Sequence, residues 1–280
     1  MIPSLDLTGM LEPERRALLD LLAELGDEEW DAPTECPAWS VKGVALHVLG
    51  DDLSLLSRQR DEATNSLILY AEKHPGLDFR QLLDGFNEQW VEAAMYLSPL
   101  LVIELLRLTG EWTGSFYRST DLEKAGEPVG FLDRSGSSPY WQAIAREYVE
   151  RWVHQHQIRR AIGRPDLGPE FLEPASAVVA RSLAVHLPAL DAAPGTVLVL
   201  TVKDVASWSY TLVDDGWMLE DGRSADAAVE LALQRVDATS VLSRGRSRDE
   251  VRAVFEVSGD GALGERVLGA ISAMTAGGSQ

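Results

Sequence analysis

Apolar positions recur with a helical period along the first 165 residues of the chain. Between Glu12 and Leu25, leucines at 18, 19, 21, 22 and 25 keep that spacing behind Pro13, a residue suited to a first helical turn. Trp30 to Trp39 contains Asp31, Pro33, Thr34 and Pro37, whose backbones favour turns, and predicts a connecting loop. Ser40 then caps a second helix from Val41 to about Arg60. After a break at Lys73, His74, Pro75 and Gly76, a third helical region runs from Phe79 to about Leu97, and Ser98-Pro99 restarts it through Leu108. Residues 120–139 hold Gly126, Pro128, Gly130, Gly136 and Pro139 and predict a long loop able to cover a site. A fourth helix spans Tyr140 to Ile162 and is closed by Gly163 and Pro165. Four long helical regions predict an up-and-down bundle.

The pattern changes beyond residue 167. Phe171 to Leu190 predicts a bridging helix, and Thr196–Val202, Trp208–Val213 and Ala227–Leu233 have the β-branched or alternating character of strands. Val236–Ser243 and Gly264–Met274 predict helices, so this part is a mixed α+β unit. A length of 280 residues suits two domains at roughly 150 residues each. The expected fold class is therefore multi-domain α and α+β, with a bundle over residues 1–167 and a smaller α+β domain over 168–280.

With 45% hydrophobic and 25% charged residues the chain has ample core material, which excludes whole-chain disorder. Its 25 basic against 44 acidic residues give −19, a field that repels nucleic acid and anionic lipid. Cys36 is the only cysteine, which excludes an intrachain disulfide and a four-thiolate zinc site and fits a reducing cytoplasm. Met1 to Leu11 lacks the basic-then-apolar pattern of a secretory leader. The longest apolar window, Ala93 to Leu108, is interrupted by Ser98, Pro99, Glu104 and Arg107, short of the ~20 residues a membrane span needs.

Candidate chemistry centres on Glu150-Arg151-Trp152-Val153-His154. Residues four apart on a helix share a face, so Glu150 and His154 point the same way, whereas His156 points well away. A divalent metal held by this pair needs a third ligand. His47 lies in a helix of the same bundle, while His74 sits beside Pro75 in a loop and His186 belongs to the second domain. Two imidazoles and a carboxylate suit zinc, with nickel, iron or manganese compatible, and leave a position open for water or a thiol. On spacing alone, an ion pair or a buried hydrogen bond is the commoner outcome for such a pair. Asp51, four residues after His47, is equally a partner of that ring or an exposed acid.

Wider stretches carry a family resemblance. Thr34-Glu35-Cys36-Pro37-Ala38-Trp39-Ser40-Val41, running on to His47, resembles the Cys-Pro-Gly-Trp-(Thr/Ser)-Val segment and metal-binding histidine of the DinB-like, mycothiol-dependent maleylpyruvate isomerase family, with Ala38 in place of the usual glycine. Glu150 to Pro165 resembles the family's second motif, with Gln157 where aspartate is common. Asp226-Ala227-Ala228-Val229, Gly245-Arg246 and Gly259-Asp260 resemble the sterol-carrier-like domain that follows the bundle. The resemblance implies a metal site of His47, Glu150 and His154, zinc being the first choice. It implies a low-molecular-weight thiol, usually mycothiol in actinobacteria, as cosubstrate, and a small-molecule electrophile as the other partner. Metal coordination would favour the thiolate of a thiol whose ordinary pKa of about 8.5 leaves it mostly protonated. The resemblance also implies a role for Arg246, one of the cluster Arg244, Arg246, Arg248 and Arg252, in binding carboxylates near the interdomain cleft. Cys36 has no neighbouring positive charge in sequence to activate it. Trp39, Trp90 and Trp152 are core aromatics before they are site aromatics.

The expected function is a metal-dependent thiol transferase or isomerase. Two alternatives share the same residues: a metal-assisted hydrolase using bound water, and a non-catalytic protein enclosing an apolar ligand.

Overall fold

A computed structural model describes residues 2–133, 138–187, 190–214, 216–242 and 247–277. The chain forms two compact units. One, here the helical unit, comprises residues 7–121 and 150–166; the other, here the mixed unit, takes residues 1–6, 122–149 and 167–280. The N-terminal part is thus helical and the C-terminal part contains the sheet.

In the helical unit, α1 (Leu11–Ala23) and the single turn α2 (Asp27–Trp30) precede α3 (Val41–Leu55), which continues into a π-helical turn at Leu56–Arg60. Then come α4 (Ser66–Lys73), α5 (Phe79–Ala94) and α6 (Pro99–Arg118). Local chemistry starts these helices. Ser40 Oγ accepts from the Gly43 amide, Asp78 forms a reciprocal capping box with Gln81, and Ser98 Oγ accepts from the Leu101 amide with Pro99 in the first turn. The helices α1, α3, α5 and α6 share one core with the later part of α7 (Tyr140–Ala161), in which Leu18, Leu22, Val44, Leu49, Leu106 and Ile158 are almost wholly buried. The α4 helix was not evident from the hydrophobic pattern, and none of its residues is buried.

A polar knot crosses this core. Asp52 of α3, fully buried, accepts from Arg15 of α1 at 2.6 and 3.0 Å, from Arg151 of α7 at 2.8 Å and from the Thr109 hydroxyl of α6 at 2.6 Å. Gln155 of α7 donates to Glu14 of α1 at 2.8 Å. Burial pulls the Asp52 carboxyl upward, but the two guanidiniums outweigh it and hold its pKa below the ordinary value. Burial raises Glu14 in spite of the same two arginines.

The mixed unit opens with a two-residue pair, β1 (Ala125–Gly126) against β2 (Ser138–Pro139), and contains α8 (Pro169–His186). Its five-stranded sheet has the order β5-β4-β3-β6-β7, from β3 (Val197–Val202), β4 (Ala206–Val213), β5 (Gly216–Asp221), β6 (Val229–Leu233) and β7 (Phe255–Gly259). Only β3 and β6 pair in parallel. Alternation puts Leu198, Leu200, Val202, Trp208, Tyr210, Leu231 and Leu233 on one face. Helices α8, α9 (Arg235–Leu242) and α11 (Gly261–Gly277) pack there around a cavity of about 20 Å³, and α10 (Arg248–Val254) lies against α11. The other face carries the polar chain Ser207, Thr201, Glu230 and Arg223. Gly259 closes β7 at φ +87°, where a Cβ would run into the Ala228 carbonyl. Among the described residues no helix is long and apolar enough to cross a membrane.

Candidate functional site

The segment before α3 is held by its own side chains. Thr34 Oγ1 donates to the Trp39 carbonyl at 2.7 Å and accepts from the Cys36 amide at 3.1 Å, while the Trp39 amide reaches back to the Cys36 carbonyl at 2.9 Å. This sets Trp39 at the mouth of α3. Gly43 leaves the room it needs, since a Cβ there would lie 2.8 Å from Trp39 Cβ. The indole stacks on the imidazole of His47 with ring centroids 4.7 Å apart and planes 28° from parallel.

Replacing Gly43 with alanine is expected to lower stability by about 1–3 kcal/mol, the usual cost of forcing a side chain out of a packed position. The midpoint of urea unfolding measures this, and an unchanged midpoint would show that Trp39 yields freely.

Across from α3 stands the part of α7 that belongs to the helical unit. The His154 ring lies 4.7 Å from that of His47, edge to face at 78°. His154 Nε2 is 3.8 Å from Glu150 Oε2. Its Nδ1 donates to Gln157 Oε1 at 2.8 Å, and the Cys36 thiol donates to the same oxygen at 3.3 Å. Burial, with Glu35 nearby, pushes the Cys36 thiol above its ordinary pKa, so the group is a protonated donor and a poor nucleophile. Glu35 in turn pairs with Arg160, tying the loop to α7.

His47, Glu150 and His154, the three residues selected in the sequence, are therefore neighbours within one unit. As placed, no three histidine, cysteine or carboxylate side chains among the described residues stand at ligand spacing around one point. The donor set itself fits a divalent transition metal: two imidazoles, one carboxylate, and a hydrogen-bonded Nδ1 that turns the lone pair of His154 onto Nε2.

The remaining candidates are dispersed. His156 is buried against Trp152, donates Nδ1–H to the Trp152 carbonyl at 2.8 Å and has its pKa pushed down by burial. His74 and His186 each bond a carbonyl of their own helix. Arg246 and Arg244 lie outside the described residues, as does the side chain of Arg248, and Arg252 pairs with Glu265 at 2.6 Å. Trp90 donates to the Leu46 carbonyl at 2.7 Å, and Trp152 is wholly buried in the core. Sequence spacing pointed to Asp51 beside His47, whereas the residue tied into the core is Asp52. Gln157 carried a signal only as a departure from a motif, and nothing in the pattern revealed its bond to His154.

A family profile described as the mycothiol maleylpyruvate isomerase N-terminal domain matches residues 11–159. A crystal structure of the mycothiol-dependent maleylpyruvate isomerase aligns over 90% of this chain and 91% of that one, at 12% identity and a TM-score of 0.49. A mutant form of the mycothiol-dependent maleylpyruvate isomerase aligns over the same shares at 13% identity and a TM-score of 0.48. Among curated proteins none matches significantly.

Proposed function

The chain belongs to the mycothiol maleylpyruvate isomerase family of thiol-dependent enzymes, and on that premise we propose that it is a metal-dependent thiol transferase or isomerase acting on a small electrophile. In this reading His47, Glu150 and His154 hold a divalent ion, zinc first. The helical unit is a DinB-like up-and-down four-helix bundle and the sheet unit a sterol-carrier-like domain. The observation that carries the proposal is the meeting of His47, Glu150 and His154 in one unit, with His154 Nδ1 held by Gln157.

When bound, the ion would favour the thiolate of mycothiol or a similar thiol at neutral pH. Glu150 would contribute the one negative charge of the set, and the two imidazoles would bind as neutral donors. Trp39 covers one face of His47. Cys36 stays protonated and does not compete with the cosubstrate. Addition of the thiol to an unsaturated carbon, followed by its departure after bond rotation, is isomerisation; retention of the thiol is transfer. Arg246 remains the candidate for holding a substrate carboxylate.

The test is consumption of electrophiles by purified protein with and without added thiol, before and after chelation. Turnover is expected to need both thiol and metal, while circular dichroism keeps its helical signal after chelation, because the ligands stand on helices with their own apolar core. Full activity without thiol would replace this reading with hydrolysis, and retained activity in metal-free protein would end it.

A further inference from the structure

Gln157 is nearly buried, and its oxygen meets two donors from different parts of the chain: His154 Nδ1 on its own helix and Cys36 Sγ from the loop before α3. A histidine whose Nδ1–H is engaged presents a lone pair at Nε2, and here that nitrogen lies on the side of Glu150. We propose that Gln157 is a positioning residue that fixes the tautomer and orientation of His154 through an uncharged oxygen, so that the ligand set carries the charge of Glu150 alone. The inference rests on His47, Glu150 and His154 being the metal ligands.

The neutrality matters to the chemistry. A carboxylate at the same place would also accept from Nδ1–H, but it would add negative charge beside the ion and reduce its pull on a thiol. An amide orients the ring and leaves that pull intact. Cys36 supplies the oxygen's second donor and so helps to keep the amide from turning its NH₂ toward the ring.

The experiment measures zinc affinity by competition with a chromogenic chelator, and the ligand field by the absorption of cobalt-substituted protein, with circular dichroism recorded for each variant. Gln157→Met, which keeps the length of the side chain and removes the acceptor, is expected to lose about 10–100-fold in zinc affinity, the range typical of lost outer partners. Gln157→Glu restores an acceptor and is expected to recover zinc binding. Cys36→Ala is expected to bind zinc nearly as tightly as the wild type.

Wild-type affinity in Gln157→Met, with His154→Ala empty, would overturn the inference and leave the ligand assignment standing. Failure of Gln157→Glu to recover binding, or a loss in Cys36→Ala as large as that in Gln157→Met, would also overturn it, assigning the effect to packing or to the thiol. Absence of zinc binding by the wild-type protein would instead remove the ligand assignment itself.

Discussion

Exchanging His154 for alanine is expected to empty the proposed metal site and to lower thiol-dependent turnover by more than about 100-fold, beyond the upper end of what losing an outer hydrogen-bond partner costs a metal site. The reasoning is local. His154 is the residue that links the others, with its ring 4.7 Å from that of His47 and its Nε2 3.8 Å from Glu150. Alanine is the best helix former, so α7 has no propensity reason to unwind. Elemental analysis and a thiol-coupled assay on the same preparation measure both effects, with a melting curve to show that the fold persists. A His154→Ala protein with wild-type zinc and wild-type turnover would take these residues out of the mechanism.

The largest expected effect on stability belongs to Asp52. Asp52→Ala would leave Arg15 and Arg151 buried, 5% and 3% exposed, without the carboxylate they share. Breaking a buried pair by removing one partner costs about 3–5 kcal/mol, because a charge is left without compensation. Urea unfolding at neutral pH measures this, and a loss below about 1 kcal/mol, the range of an exposed pair, would show that water reaches the guanidiniums.

The dependence on pH has a definite sign. The folded-state pKa of Asp52 lies below its ordinary value of 3.8, so its contribution is complete above that value and is lost as the pH falls through the folded pKa. Glu14 works the other way. Its folded pKa lies above the ordinary 4.5, so it weakens the fold increasingly as the pH rises from 4.5 through the folded value. The gap in stability between wild type and Asp52→Ala is expected to hold across neutral pH and to close only below about 3.8. The knot also bears on the site, since Asp52 lies on the helix of His47 and Arg151 directly follows Glu150.

Much of the architecture was legible in the periodicity, and the exceptions have physical reasons. The leucine spacing of α1 stands out because burial on one side imposes a strict period, whereas α7, buried on nearly every side, stands out by its length and by the Gly163 and Pro165 that close it. The strands β3, β4 and β6 were legible because their alternate residues face the helices. Two strands of the five-stranded sheet were not. β5 opens on Gly216 with few β-branched residues, and β7 has Glu256 and Ser258 on its open side. The candidate site was legible as far as its residue types, since a glutamate and a histidine four apart on a helix are adjacent whatever the rest of the fold does. Asp52 was hidden because the i+4 rule selects its neighbour, and its partners come from α1, α6 and α7, which no local spacing can reveal. The bond from Gln157 to Cys36 spans 121 positions in the chain, a relation that only tertiary structure creates.

The α7 helix contributes residues 140–149 to the mixed unit and residues 150–161 to the helical unit. No single cut of the polypeptide therefore yields two intact halves. A gene fragment ending at residue 167 would carry residues 122–149 without the companions that complete their unit, and the remainder would begin without them. Recombination between relatives must then exchange this helix whole, so residues 140–149 of the mixed unit and residues 150–161 of the helical unit are inherited together.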